Sequence, residues 1–378
     1  MKKVKLITLC ILLLVPFYIQ SRNDIFKPGQ VWNDTSMSPI NAHGGGIMCY
    51  EGRYYWFGEH KSDTTNNAYD GVRCYSSDNL YDWKNEGLVF NVIHSDPTHD
   101  VTAGCILERP KVIYNAKTKK FVMWFHLELK DRGYGTARYG VAISDNVVGP
   151  YRFVYSSRAN ANTYPKNISK SQINKLNDSA KMNMLFKENR KKAIEEGYFF
   201  ARNYEGGQMA RDMTLYVDDD GKAYHIYSSE ENTTLHIAQL TDDYLFHNDN
   251  YVRVLPGGNN EAPAIFKHKG KYWMISSDCT YWNPNQARLS VSDNIMGEWK
   301  KVGDPCIGDI KKTTFDSQGT YVLPIIGLKD AFVFMADRWT PESPSKARYI
   351  WLPILFNENE QPYLKWFNEW SLDIFKNK

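Results

Sequence analysis

The chain repeats one pattern five times, and this repetition constrains the fold more than any other feature of the sequence. Each copy has a short apolar run, a polar turn and a second run rich in aromatic and β-branched residues, which predicts a β-hairpin. The clearest copy runs from Glu261 to Ser277, with its turn at Lys269-Gly270-Lys271. The other copies begin near Gly44, Glu108, Arg211 and Gln318.

A third and a fourth strand follow each hairpin. Three of the third strands end in a Ser-Asp pair, at Ser77-Asp78, Ser144-Asp145 and Ser292-Asp293. An aromatic residue then opens the fourth strand, at Trp83, Tyr151 and Trp299. Four short antiparallel strands repeated around a ring are typical of a propeller. The sequence therefore predicts an all-β fold, a five-bladed β-propeller.

One stretch, at about residues 159–204, interrupts the pattern between the second and third repeats. It is mostly polar, and the run from Met184 to Glu196 has the composition of a helix. We therefore predict a partly helical insertion between blades two and three. Such an insertion is either a surface decoration or one wall of a ligand cleft.

The composition excludes some classes of function. The 378 residues carry a net charge of only +3, which does not favour binding to nucleic acid or to an anionic membrane. Five of the six cysteines lie beyond the first 22 residues, and they show neither metal-binding spacing nor a disulfide framework. We therefore expect these cysteines to be small buried apolar residues, and we expect no cofactor to be required.

The N-terminus has the pattern of a targeting segment. Three lysines, at positions 2, 3 and 5, precede an apolar run from Leu6 to Ile19 that is too short for a stable transmembrane span. We predict that residues 1–21 are a signal peptide and that residues 22–378 are a single propeller domain. The protein is then exported, periplasmic or secreted, without a membrane anchor after cleavage, and we expect it to be a monomer.

Acidic residues lead three of the five repeats. Glu108, Asp212 and Glu261 stand at equivalent positions, directly before or at the start of the first predicted strand. Because the first strands of a propeller line its axis, these carboxylates would meet in one pocket. Repulsion between them and partial burial would raise the pKa of at least one, which would supply a general acid for cleavage of a glycosidic bond. Any one of them alone would more simply be a surface or turn charge.

The same residues resemble glycoside hydrolase family 43. Glu261-Ala262-Pro263 is similar to the general-acid motif of the family, and Arg211-Asp212-Met213 is similar to the motif whose carboxylate tunes the pKa of that acid. The resemblance implies a five-bladed propeller that acts with inversion on furanosides, xylosides or galactosides. The chain departs from the family's pattern in the first repeat, where the stretch Asn41-Ala42-His43-Gly44-Gly45-Gly46 lacks the Asp that serves as general base.

This opening resembles a branch of the family, the exo-β-1,3-galactanases. The resemblance implies that Glu261 protonates the leaving oxygen, that Gln318 positions or activates water and that Glu108 grips the substrate. Glu108 is also the alternative base, since a neutral amide hardly accepts a proton. The expected substrate contacts are His43, Glu59, Arg109, Tyr139, Asn232 and Trp282. Of these, His43 could instead meet a channel ion such as calcium, or be structural, and Trp282 could simply pack.

The resemblance implies an inverting, exo-acting hydrolase of galactose-containing plant glycans, such as the β-1,3-galactan backbone of arabinogalactan, and the predicted signal peptide implies that it is exported. A related branch with the same opening resembles galactofuranosidases and arabinofuranosidases, so those activities are alternatives. A catalytically inactive, glycan-binding propeller is the alternative from another class, because the usual base is absent. A propeller lyase or phosphorylase is a weaker one. In each of these cases the partner is an oligo- or polysaccharide.

Overall fold

The structure, a computed structural model, describes residues 24–376. The predicted signal peptide therefore lies outside the described residues. Strands dominate this part of the chain, and the few helices are short. Among residues 24–376, none of the helices has the length and apolar character needed to cross a bilayer.

Five sheets follow one another along the chain in the order that the repeats predict, and we number them as blades one to five. Antiparallel neighbours build each of them, with the first strand innermost. The strands are β1 (His43–Tyr50), β2 (Arg53–His60), β3 (Gly71–Ser77) and β4 (Lys84–Asn91) in blade one; β5 (Ile106–Asn115), β6 (Lys120–Glu128), β7 (Arg138–Ser144) and β8 (Arg152–Ser157) in blade two; β9 (Met213–Val217), β10 (Ala223–Ser229), β11 (Thr234–Leu240) and β12 (His247–Val254) in blade three; β13 (Glu261–His268), β14 (Lys271–Ser277), β15 (Arg288–Ser292) and β16 (Lys300–Gly303) in blade four; and β18 (Gln318–Pro324), β19 (Phe332–Arg338) and β20 (Arg348–Pro353) in blade five.

A sixth, smaller sheet corrects the sequence prediction. It consists of β17 (Cys306–Ile307), β21 (Leu355–Phe356) and β22 (Pro362–Lys365), with β22 in the middle and β17 parallel to it. The all-β propeller therefore has six blades in the part of the chain that the structure describes, and the prediction of five is wrong. Strands of two to four residues are too short to show alternation, and these three come from two distant parts of the chain.

Four short helices lie between blades two and three, inside the stretch predicted to be an insertion. They are α1 (Lys170–Leu176), α2 (Ser179–Glu188), α3 (Arg190–Glu196) and α4 (Tyr198–Arg202). Polar side chains cap three of them: Ser169 forms a capping box with Gln172, Asp178 caps α2 and Asn189 caps α3. Apolar residues of the helices, including Ile194 and Phe199, pack on the hydrophobic cluster between the two blades. This burial holds the insertion on the propeller.

Hydrophobic clusters fill the spaces between neighbouring blades. The cluster between blades five and one also joins the two ends of the described chain. Phe26 and Trp370 exchange backbone hydrogen bonds of 2.8 and 3.1 Å, and their rings stack with centroids 4.3 Å apart. Closure of the ring therefore depends on residues that are 344 positions apart.

Candidate active site

A cavity of about 380 Å³ lies at the end of the propeller where the first strands begin. Eight of the ten residues predicted to form the site line it: Glu59, Glu108, Arg109, Asp212, Asn232, Glu261, Trp282 and Gln318. The other lining residues are Lys61, His126, Tyr134, Arg211, Glu231, Cys279, Tyr281 and Trp339. Residues far apart in the sequence thus meet around one space, as the equivalence of the repeats predicts.

Irregular starts of the innermost strands aim these side chains at the cavity. The pairing register shifts between Glu108 and Lys111 in β5 and between Glu261 and Ala264 in β13. Arg109 and Ala262, the residues inside the two bulges, have left-handed backbone, with φ of 56° and 49°. A bulge bends a strand and redirects the side chains beside it. The motifs Glu-Arg-Pro and Glu-Ala-Pro therefore mark two bulged strand starts.

Glu261 has the properties of a general acid. Burial, and after it the nearby charge of Asp212, raise the pKa of its carboxyl to about 7. Asp212 is held in place by hydrogen bonds to its Oδ2 from Arg109 Nη2 at 2.9 Å and from the Ala262 amide at 3.1 Å. Glu261 therefore keeps its proton up to neutral pH, next to a carboxylate that is held by a cation.

The pKa of Glu108 is shifted in the opposite direction from that of Glu261, because Glu108 is paired with a cation. Burial opposes the charge of Glu108, but hydrogen bonds from His126 at 3.1 Å and Tyr134 at 2.7 Å, together with the charge of Lys61, lower its pKa to about 2. Burial likewise opposes the charge of His126, yet its bonds to Glu108 and Glu128 raise its pKa to about 9. Glu108 therefore stays negatively charged above about pH 2, and it is suited to accept hydrogen bonds from a substrate hydroxyl.

Gln318 is held in one orientation by its neighbours. Its Oε1 accepts hydrogen bonds from Arg109 Nη2 at 2.6 Å and from Trp339 Nε1 at 2.9 Å, while its Nε2 donates to Ser277 Oγ at 3.0 Å. Both lone pairs of the carbonyl oxygen are therefore used, and the second N–H of the amide is left to meet a ligand.

Glu59 supports the site from blade one. Its Oε1 accepts the backbone N–H of Arg109 at 2.8 Å, and its Oε2 forms an ion pair with Lys61 at 2.5 Å. Burial raises the pKa of Glu59, and Lys61 opposes that shift. The buried pair thus fixes the backbone of the bulge that carries Arg109.

Aromatic side chains form one side of the cavity. Trp282 and Trp339 meet edge to face with ring centroids 5.6 Å apart, and Tyr281 is 93% exposed beside them. The same three residues line a smaller cavity of about 190 Å³ next to the first. Exposed aromatic faces are suited to contact the C–H face of a sugar.

Two predicted contacts are not at the cavity. His43 is fully buried, stacks on Tyr349 and faces Asp337 Oδ1 at 3.4 Å. Tyr139 lies in the hydrophobic core, stacked on Trp124 with ring centroids 4.7 Å apart. Both side chains pack between blades instead of lining the cavity, so the prediction that they contact substrate is corrected. The channel ion proposed for His43 stays a prediction.

Sequence reasoning missed His126, Glu128, Tyr134 and Trp339. His126 and Glu128 are two residues apart on β6, and residues at that spacing point to the same face of a sheet. That spacing is the signal that could have revealed the pair. Tyr134 comes from the β6–β7 loop and Trp339 follows β19, and neither carries a motif.

Glu108, His126 and Asp212 also have potential metal-ligand atoms within 4.8 Å of one another. However, both ring nitrogens of His126 already face carboxylates, at 3.1 and 3.0 Å, and Asp212 is paired with Arg109. These residues fit an ion-pair network better than a metal site.

The chain matches known proteins in one family. Residues 178–319 match the model of the glycosyl hydrolases family 43. No curated protein matches. Among solved structures, the GH43 β-1,3-galactosidase BT3683, solved with galactodeoxynojirimycin, is 52% identical over 92% of this chain and 100% of its own, with a TM-score of 0.89.

Two further structures are similar. The GH43 β-1,3-galactosidase BT0265 is 36% identical over 94% of this chain and 65% of its own, with a TM-score of 0.77. The exo-β-1,3-galactanase from Phanerochaete chrysosporium, solved with galactose, is 27% identical over 94% of this chain and 70% of its own, with a TM-score of 0.74.

Proposed function

Because the chain belongs to glycoside hydrolase family 43, we propose that it is an exported, inverting, exo-acting enzyme that releases galactose from plant glycans. The β-1,3-galactan backbone of arabinogalactan is the substrate we favour. Two relatives named β-1,3-galactosidases, at 52% and 36% identity, support this choice of sugar and linkage. The cavity of about 380 Å³ is near the lower limit for a ligand pocket, which suits a single terminal sugar better than a long chain.

The single observation that carries the proposal is the position of Glu261 in the cavity beside Asp212, where burial and that charge raise its pKa to about 7. Breaking a glycosidic bond requires a proton on the leaving oxygen, and a carboxyl with a pKa of about 7 can deliver it at neutral pH. A propeller that only bound glycans would have no need for a carboxyl of raised pKa. The same observation therefore favours the enzyme over the inactive, glycan-binding alternative.

Other residues would orient the sugar and the attacking water. Glu108, charged and held by His126 and Tyr134, would accept a hydrogen bond from a hydroxyl of the bound sugar. Gln318 has one amide N–H left to hold the water, since its oxygen is occupied by Arg109 and Trp339. Proton acceptance from that water is left to Glu108, since both lone pairs of the Gln318 carbonyl oxygen are already used. Trp282 and Tyr281, on the aromatic side of the cavity, would contact the leaving sugar.

Substitution of Glu261 by Gln tests the proposal. We expect Glu261→Gln to lower kcat/KM on β-1,3-galactobiose by about 10²–10⁴-fold, because the leaving sugar then has no acid. The kcat/KM on an aryl β-galactoside should fall much less, because an acidic phenol leaves without needing a proton. Glu298→Gln, an exposed residue outside the cavity, is the matched control. Full activity of Glu261→Gln on the disaccharide would remove Glu261 from the acid role.

Four further measurements test the finer claims. NMR of the first product should show the inverted anomer, and galactofuranosides and arabinofuranosides should be poor substrates. Release of trisaccharides or longer products from the galactan would contradict exo action. Expression with and without residues 1–21 tests export, since only the longer form should leave the cytoplasm.

A further inference from the structure

The turn between β10 and β11 has a backbone that needs support. Three consecutive residues, Glu230, Glu231 and Asn232, are left-handed, with φ of 51°, 58° and 62°. None of them is glycine, so each pays a steric cost in this conformation. Such a run persists only where surrounding contacts hold it.

Part of the support comes from a buried ion pair. Glu230 accepts two hydrogen bonds from Arg253, at 2.6 and 2.7 Å, and its Oε1 lies 3.0 Å from Nε2 of His236. The same guanidinium donates to the carbonyl of Ile194 in α3 at 2.7 Å. The first residue of the turn is therefore tied to the helical insertion through Arg253.

The second residue of the turn is tied to the insertion directly. Glu231 accepts hydrogen bonds from Arg190, at the start of α3, and from Arg202, at the end of α4, each at 2.8 Å. Both guanidinium groups also lie over the ring of Phe199, at 4.6 and 4.9 Å. Glu231 thus joins two helices of the insertion to the edge of the cavity.

The third residue reaches the acid. Asn232 Nδ2 donates to Glu261 Oε1 at 2.6 Å, and its own Oδ1 accepts from Arg211 at 3.3 Å. Since the amide N–H occupies Oε1, the proton of Glu261 belongs on Oε2. The other charged or titratable groups facing Glu261 are Asp212 and Arg109, on the strand starts, and Cys279, in the loop after β14.

We propose that the helical insertion positions the general acid: through Glu230 and Glu231 it holds the turn that places Asn232 on Oε1 of Glu261, so that Oε2 presents the proton to the leaving oxygen. This inference rests on the proposed role of Glu261. Asn232 and the two arginines are positioning residues, because they act through Glu261. The insertion is then neither a decoration nor a wall of the cavity, which none of the described residues 159–204 lines.

Two variants test the two halves of this connection. Asn232→Gly removes the amide while keeping a residue that tolerates the left-handed turn. The double variant Arg190→Met/Arg202→Met removes both ion pairs of Glu231 without substituting a residue that lines the cavity. Lys191→Met is the matched control, because Lys191 lies on α3 but forms its ion pair with Glu195 on the same helix. The double variant Arg190→Lys/Arg202→Lys should restore the wild-type behaviour.

The readout is the basic limb of kcat/KM against pH on β-1,3-galactobiose. The Asn232 hydrogen bond favours the ionised carboxylate, so its loss raises the pKa of Glu261 and moves the limb upward by about one pH unit. We expect this shift in Asn232→Gly and in the double Met variant, with a fall of roughly tenfold in kcat/KM at pH 6. The position of a limb does not depend on how much protein is folded.

The outcomes separate this inference from the proposed function. A wild-type limb in Asn232→Gly, with Glu261→Gln inactive on the disaccharide, would overturn the positioning role and leave the acid in place. A shift in Asn232→Gly without one in the double Met variant would remove the insertion from the connection. Full activity of Glu261→Gln would instead refute the proposed function.

Discussion

At the scale of single residues, the neighbours of two glutamates in the site shift their pKa values in opposite directions. Glu261 lies next to a carboxylate and has a pKa of about 7, whereas Glu108 lies next to an imidazolium and has a pKa of about 2. The two side chains are chemically identical, so their environments alone account for the difference in pKa.

The charge of Asp212 should set part of the pH dependence. The wild-type basic limb should fall near pH 7, because activity requires protonated Glu261 and is lost as the pH rises through its pKa. Asp212→Asn keeps an oxygen for Arg109 and Ala262 but removes the charge, so the pKa of Glu261 should fall and the limb should move down by about one unit. Kinetics across pH 4–9 would measure it. An unmoved limb would contradict the argument, and Asp293→Asn, in an exposed turn, serves as control.

The sequence predicted the acids but not their partners. Glu108, Asp212 and Glu261 stand at equivalent places in a repeat, so their convergence follows from the repeat itself. His126 and Tyr134, which charge and orient Glu108, come from a second strand and from a loop that differs between blades. His43 and Tyr139 were misplaced because a motif gives a position along a strand, whereas the direction of a side chain depends on bulges and packing.

At the scale of elements, the bulged strand starts connect backbone geometry to the site. In β1 the register shifts between His43 and Gly46, and Gly44 between them is left-handed with φ of 59°. Its N–H donates to Asp337 at 2.7 Å, and its carbonyl accepts from Lys111 at 2.9 Å. Sequence patterns find strands by alternation, and a bulge interrupts alternation at the very positions where the site residues lie.

Gly44 offers a test of this connection. A Cβ at Gly44 would collide with Glu59 Oε1, whereas Gly52, in the β1–β2 turn, is equally left-handed but has open space. Gly52→Ala should cost about 1–2 kcal/mol from backbone strain alone. Gly44→Ala should cost about 1–3 kcal/mol more, because Glu59 must move. Denaturant unfolding followed by tryptophan fluorescence compares them, and equal losses would show that Glu59 moves at little cost.

At the scale of the whole molecule, the ends of the described chain close the ring. Trp370 is 5% exposed, stacks on Phe26 and donates its Nε1–H to the carbonyl of Trp351 at 2.8 Å. This contact was not predictable from the repeats, because Phe26 and Trp370 lie outside all five of them. The small sixth sheet was missed for a similar reason, since its strands belong to no repeat.

Trp370→Ala should therefore destabilise the entire propeller. We expect a loss of about 3–5 kcal/mol in the free energy of unfolding, the range for removing a large buried aromatic side chain. Tyr69→Ala, at a ring that is 49% exposed, should change it by less than about 1 kcal/mol. Chemical denaturation measures both. A loss for Trp370→Ala no larger than that for Tyr69→Ala would mean that the ring holds without this contact.

Arg109 belongs to blade two, yet its guanidinium bonds Asp212 at the edge of blade three and both Gln318 and the Gly319 carbonyl in blade five. One side chain thus both lines the cavity and links three blades of the ring. A change in the relative positions of these blades would therefore displace groups that line the cavity, even where every strand stays intact. Selection that acts only on catalytic activity would therefore also preserve the closed ring of blades.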